Sequence, residues 1–310
     1  MEISVIIPVY NKKDYVEDCL SAALSLDFAD YEVIVVDDGS TDGSGELCEE
    51  MAKEHARLRV FHQQNGGVTA ARRYGWQQAQ GRYVMFSDAD DRLLPNALRD
   101  TYEVIQRENA DMVLGSYVNQ YGRVTCSGYH GIVEPSVIIH DILANRQHFG
   151  VLWAILFRKS LLDGCLDIPR EIIEGEDKLM QVKCQMKHPK SFFIDSCIYY
   201  YRMDVPNDRK RPLSTAILYD ELLRETLQPE WERYQNGMTL FQIKMYEFYL
   251  ERKEFHVFRE YYGQLRSRLN HEIPVKDRLI MRLPPRIAYC LVAGYHWLIR
   301  RKEACEANNG

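Results

Sequence analysis

Short apolar runs that alternate with amphipathic segments fill the first third of the chain, and few folds accommodate that rhythm. Residues 3–9, 32–36, 59–62, 82–86 and 111–114 are largely apolar runs of four to seven residues, without the alternation of a half-buried strand. Between them, residues 14–26, 42–55, 67–80 and 95–108 repeat apolar side chains at helical spacing. In the first of these, Tyr15, Val16, Cys19, Leu20, Ala23 and Leu24 share one face. Strands that are apolar on both sides need cover on both faces, so the order predicts a parallel sheet between helices. Right-handed crossovers then align the strands' carboxyl ends along one edge, where open α/β sheets bind ligands.

That edge collects carboxylates. Asp37-Asp38-Gly39-Ser40-Thr41-Asp42 directly follows the second run, and Ser87-Asp88-Ala89-Asp90-Asp91 the fourth. Three carboxylates within four residues repel one another unless a cation joins them. Oxygen ligands without nearby His or Cys suit a hard ion, Mg²⁺ or Mn²⁺, with water and substrate phosphates completing its shell. Asp-Gly-Ser is also ordinary turn chemistry, and Asp42 suits a helix N-cap. Two such clusters at the ends of separate strands favour a nucleotide site.

Four segments, in order, carry a resemblance: Ser4-Val5-Ile6-Ile7-Pro8-Val9-Tyr10-Asn11, Val36 to Asp42, Asn65-Gly66-Gly67 with Ala71-Arg72, and Phe86 to Asp91. Together they resemble the serial motifs of family 2 glycosyltransferases, strongly over the first hundred residues and more weakly to about residue 215. The resemblance implies a GT-A fold, Rossmann-like and mostly parallel, and inverting transfer of a sugar from a nucleotide diphosphate donor, commonly a UDP-sugar. It places Pro8, Val9 and Tyr10 around the nucleoside, Asp38 on the base, and Asp90 on the divalent metal, Mn²⁺ or Mg²⁺. Asp88 assists through the ribose or water, and Arg72 lies near the donor phosphates. Arg73 departs from the family, which usually has Asn there.

An inverting displacement also needs a base for the acceptor hydroxyl. Glu174-Gly175-Glu176-Asp177 resembles the family's Glu-Asp motif, which makes Asp177 the catalytic base and Glu176 its substitute or an acceptor-orienting group. Acids also favour a helix's first turn for purely structural reasons. Trp153 matches an acceptor-side strand tryptophan, and suits a core position equally. Tyr199-Tyr200-Tyr201-Arg202 resembles the late Tyr-Arg strand, with Arg202 approaching the diphosphate when a loop at 204–212 closes. A Gly-rich basic turn after the first strand would signal a sugar nucleotidyltransferase, but Pro8-Val9-Tyr10-Asn11 stands there instead. Joint retention of Asp38, Asp88, Asp90 and Asp177 argues against a catalytically silent nucleotide-sugar-binding scaffold.

From about residue 117 the pattern is mixed. Strands are expected at 151–157 and 191–201, and a helix at 176–186. Beyond a polar break, helices are expected at 213–227, 237–251, 255–269 and 285–302. The expected organisation is a GT-A domain over 1–205, with a donor half to about 115 and an acceptor half over 116–205. A smaller helical C-terminal region follows over 206–310.

Composition places the chain. Its eight cysteines form no C-x-x-C pair, and the scattered histidines include no pair at metal-ligand helical spacing, so zinc and disulfide frameworks are not expected. The N-terminus lacks a basic leader, and the longest uncharged apolar run, 287–299, is too short to cross a bilayer. A cytoplasmic protein, peripheral on the inner membrane face, is the expectation. The net charge of −6 hides +7 over residues 251–302, which leaves −13 on the rest. An acidic body with no recognised nucleic-acid module excludes nucleic acid as the obvious partner. The basic, aromatic segment 273–302 suits an anionic membrane surface, and equally packing on the catalytic domain or a homodimer contact. The family's acceptors are glycans, many of them lipid-linked, in surface polysaccharide assembly.

Overall fold

The computed structural model describes residues 1–145, 150–205 and 212–307, without the side chains of 260 and 298–307. Most of the expected closing loop, and the side chains of Arg300, Arg301 and Lys302, lie outside the described residues. The chain divides into two units. One comprises Met1–Ile142 with residues 150–205, the other Leu143–Asn145 with residues 212 onward.

The first unit runs β1 (Ile3–Val9), α1 (Lys13–Leu24), β2 (Tyr31–Asp37), α2 (Ser44–Glu54), β3 (Leu58–His62), α3 (Val68–Gln78) and β4 (Tyr83–Phe86). It continues through β5 (Arg92–Leu93), α4 (Ala97–Arg107), β6 (Met112–Asn119), β7 (Val124–Thr125), β8 (Gly131–Val133) and α5 (Pro135–Ala144). It closes with β9 (Ile155–Arg158), α6 (Glu176–Gln185) and β10 (Ser191–Tyr201). Among the described residues these strands form one ten-stranded sheet in the order β3-β2-β1-β4-β9-β6-β10-β5, with β7 on β6 and β8 on β10. Every residue of β2 is buried, the signature of a strand covered on both faces. Helix α3 lies hard against β1 at Gly75, where a Cβ would stand 2.5 Å from Ile6 Cγ2.

The sheet is mixed, in keeping with the mostly parallel GT-A expectation. β1 to β4 run parallel, and so do β6 and β10, but β9 is antiparallel to both its neighbours. The strand expected over 151–157 is only Ile155–Arg158, for a local reason. Trp153 makes an isolated parallel bridge to Phe86, and Ala154 then turns left-handed at φ 59° before antiparallel pairing begins. A buried non-glycine residue in that conformation is held there by its surroundings. Asp42 does not cap α2. Gly43 takes the N-cap position, and Asp42 accepts hydrogen bonds from the Ser44 amide and hydroxyl.

The second unit is helical: α7 (Leu213–Leu227), α8 (Trp231–Glu251), α9 (Val257–Glu260), α10 (Val275–Arg282) and α11 (Pro285–Ala307). α8 is central and packs against the other four, with Ile243, Tyr246, Tyr249 and Leu250 buried among Val257, Ile280, Ala288 and Val292. The helix expected over 255–269 breaks into α9 and a 3-10 segment, Tyr262–Arg268. Gly263, a poor helix former, sits at that break.

Candidate functional site

Because β9 reverses twice, β6 and β10 point the same way as β1, β2 and β4, and all five present their carboxyl ends on one edge. β1 ends in Pro8 and Val9, with Tyr10 directly after it; Val9 is buried and Tyr10 exposed. The turn after β1 is stitched to the turn after β2. Asn11 N donates to Ser40 Oγ (3.0 Å), Thr41 N to Asn11 Oδ1 (2.9 Å), Lys12 N to Ser44 Oγ (2.8 Å) and Asp38 N to Val9 O (2.8 Å).

Asp38 is buried and accepts three hydrogen bonds. Gln63 Nε2 (2.7 Å) and Gly66 N (2.8 Å) donate to Oδ1, and Gly67 N (2.8 Å) donates to Oδ2. Gly67 adopts φ +90°, which a side chain rarely tolerates. Asp38 thus organises the 63–67 loop that leads into α3. Its neighbour Asp37 accepts from Ser40 N (3.0 Å) and pairs with His62 Nδ1 (2.9 Å), whose Nε2 reaches Glu49 (3.0 Å). Burial pushes Asp37 up, but the bonds from Ser40 and His62 outweigh it and hold the carboxyl below its usual pKa. The same contact with Asp37 raises His62.

After β4 the chain turns at once, with Asp91 N donating to Asp88 O at 3.1 Å. Asp88 N donates to Tyr199 Oη (3.1 Å), and that hydroxyl donates to Asp91 Oδ2 (2.9 Å). Arg202 N donates to Asp91 Oδ1 (2.7 Å) and Arg202 Nε to Asp90 O (3.1 Å). The end of β10 is therefore tied to the acid turn. Asp91 is buried; loss of water and then the Asp88 charge push it up to about 8, against the bonds from Arg202 and Tyr199. Asp90 holds the Lys12 ammonium at 2.5 Å.

Arg72 joins the two halves of the edge. With its side chain only 3% exposed, it donates through Nη2 to Asp88 Oδ1 (2.8 Å) and through Nη1 to Asp177 Oδ1 (2.6 Å). Burial lowers the arginine's pKa, but Asp177, Asp88 and Glu176 more than offset that and raise it. Asp88 is pushed up by loss of water, with Asp177 and Asp90 adding to the rise and Arg72 opposing it. Gly175, at φ +88°, sets the N-cap of α6, and Glu176 and Asp177 fill its first turn. Trp153 is buried, stacked on Tyr199 (4.6 Å) and Tyr201 (5.1 Å) and edge-on to Tyr117. Arg202 reaches Asp18 through Nη2 (3.2 Å) and lies over the Tyr15 ring, so its guanidinium is anchored on α1.

Whether this edge suits a divalent ion turns on its donors. Among the described residues no three His, Cys, Asp or Glu side chains converge as a cage. Yet even without Asp91, whose pKa burial pushes up, Asp88, Asp90, Glu176 and Asp177 outnumber Lys12, Arg72 and Arg202, and a Lys12 cation already sits on Asp90. An ion bound by one or two carboxylates, with phosphate and water completing its shell, fits that surplus.

The family model "Glycosyl transferase family 2" matches residues 4–163, just over half the chain. This chain is a member of glycosyl transferase family 2. Of the residues nominated from sequence, all up to Trp153 fall inside the match, while Glu176, Asp177 and Arg202 lie beyond it. Among curated family relatives, Glycosyltransferase GlyA of Streptococcus pneumoniae is 30% identical over 215 residues, covering 65% of this chain and 30% of GlyA. Glycosyltransferase GlyG of the same organism is 40% identical over 150 residues, covering 47% of this chain and 50% of GlyG. The chain thus spans half or less of either relative. A crystal structure of Staphylococcus aureus TarS 1–349 in complex with UDP-GlcNAc superposes with a TM-score of 0.66 at 21% identity, covering 96% of this chain and 92% of that 1–349 chain. The fold is GT-A, followed by a helical C-terminal region.

The structure brings Asp88, Asp90, Arg72, Asp177 and Arg202 together through direct contacts or shared partners. Pro8, Val9 and Asp38 join them along the strand ends. The sequence passes over Lys12 and Gln63 and counts Asp91 among the strand-end acids without giving it a role of its own. Lys12 had a signal, since it follows the Pro8–Asn11 turn directly; Asp91 had one as the third acid of its run.

Proposed function

We propose that this family 2 chain is an inverting, metal-dependent glycosyltransferase. It transfers a sugar from a nucleotide diphosphate donor, a UDP-sugar, to a hydroxyl of a glycan or lipid-linked acceptor in surface polysaccharide assembly. The observation that carries the reading is the Arg72 bridge, which puts a donor-side acid and the expected base on one guanidinium. The uridine diphosphate part is supported by the UDP-GlcNAc held by the similar fold of TarS.

In this reading Pro8, Val9 and Tyr10 flank the nucleoside, and Asp38 shapes the 63–67 loop beside it. Asp90, with Asp88, would hold a divalent ion, which supplies positive charge to the departing diphosphate. Lys12, which pairs with Asp90, would supply a second positive charge beside the phosphates. Asp91 and Tyr199 keep the acid turn and Arg202 in register. Arg72 holds Asp177 by Oδ1, so that Oδ2 meets the acceptor hydroxyl. As the acceptor oxygen forms its bond to the anomeric carbon, the carbon–oxygen bond to the diphosphate breaks on the opposite face. The hydroxyl proton passes to Asp177, and the anomeric configuration inverts. Glu176, on the same helical turn, orients the acceptor. Trp153 supports the Tyr199 and Tyr201 rings from within.

Asp177→Asn tests the base. It should lower transfer by about 10²–10⁴-fold while UDP binding, read by calorimetry, stays at the wild-type level. Wild-type turnover would move the base elsewhere, and absence of any transfer by the wild-type chain across a nucleotide-sugar panel would favour a silent binding protein.

A further inference from the structure

The second unit carries a surface whose chemistry is independent of the reaction. Between Ile287 and Trp297 there is no Asp, Glu, Lys or Arg, although helices that face water usually carry charge there. α11 buries Ala288 and Val292 against α8 and leaves Ile287, Leu291 and Tyr295 exposed at a spacing of four residues, with Cys290, Gly294 and Trp297 exposed alongside. α10 repeats the arrangement. Ile280 and Met281 are buried while Val275 and Leu279 face water, and Arg278 and Arg282 share that face. Exposure of these aliphatic side chains runs from 38% at Leu291 to 71% at Val275. The two helices meet where Lys276 Nζ sits 4.0 Å over the Tyr295 ring.

Charge decides what this surface fits. Residues 273–302 hold Lys276, Arg278, Arg282, Arg286, Arg300, Arg301 and Lys302. Their single acid, Asp277, is buried and paired with Lys244. Lys276 is paired with Glu247, so among the described side chains the segment offers Arg278, Arg282 and Arg286 beside its apolar and aromatic residues, on a chain whose remainder is strongly acidic. A second copy would set these arginines against each other. A layer of anionic headgroups accepts all three features at once: aliphatic side chains enter the acyl boundary, Tyr295 and Trp297 suit the interface, and the arginines meet phosphate.

We propose that α10 and α11 dock this protein on an anionic phospholipid bilayer, lying in its surface plane. The experiment is co-sedimentation of the full chain with vesicles of phosphatidylglycerol and phosphatidylcholine, and with vesicles of phosphatidylcholine alone. Wild type should partition onto the anionic vesicles and far less onto the neutral ones. Leu279→Glu/Leu291→Glu should abolish partitioning. Arg278→Gln/Arg282→Gln/Arg286→Gln should weaken it by about fivefold for each arginine removed. If the glutamate variant fails to fold by circular dichroism, the glutamine variant, changed only at surface cations, carries the test. Equal partitioning onto both vesicle types, none onto either, or wild-type behaviour of the folded variants would overturn the proposal. So would a homodimer, seen by light scattering, that the leucine substitutions split, since that assigns the face to a second copy.

Discussion

Arg72 shows how much chemistry one side chain can set. Its guanidinium is nearly sealed from water, yet both its terminal nitrogens are spent on carboxylates from elements more than fifteen residues away on either side of the sheet edge. Removing one partner of a buried ion pair costs about 3–5 kcal/mol, because the remaining charges stay desolvated. Asp88 and Asp177 keep partial access to water, so Arg72→Met is expected near the lower end of that range. Its melting temperature should fall and transfer should be lost, and Arg72→Lys, with one ammonium for two acids, should recover part of the stability. A wild-type melt for Arg72→Met would remove the bridge from the account. At this scale the sequence was a partial guide. The acids announced themselves by crowding at strand ends, whereas the partners of Asp38 come from residues 63–67 and could not be paired with it before the chain was folded.

At the scale of elements, periodicity carried most of the fold. β1 and β10 begin and end where the apolar runs do, and α7 spans its predicted residues. What periodicity missed was direction. A short apolar run such as Ile155–Arg158 looks alike parallel or antiparallel, and its reversal depends on a left-handed Ala154 that no local signal marks. The joint of β2, β3 and α2 makes a testable case of coupling between elements, through Asp37, His62 and Glu49. The folded pKa of His62 is raised, so its contribution to stability is complete below the unfolded value and is lost as pH rises through the folded one. The pKa of Asp37 is lowered, so its contribution is present above the unfolded value and is lost as pH falls through the folded one. The pair therefore works best between those limits. His62→Gln should cost more stability in urea unfolding at about pH 5 than at about pH 9, and equal losses at both would deny the coupling.

Across the whole molecule, two surfaces of opposite character reside in different units. The first unit gathers acid on the carboxyl edge of its sheet, and the second shows cations and apolar side chains on α10 and α11. The net charge of −6 conceals both, and only the distribution along the chain revealed them. The central claim concerns the first: its surplus carboxylates take a divalent cation together with a nucleotide diphosphate. Titration calorimetry of UDP into the wild-type chain and Asp90→Ala, each with Mn²⁺ and with a chelator, tests it directly. The account predicts that Mn²⁺ strengthens UDP binding to the wild type and does nothing for Asp90→Ala. UDP binding equally strong in the chelator, or a Mn²⁺ effect that survives in Asp90→Ala, would contradict it.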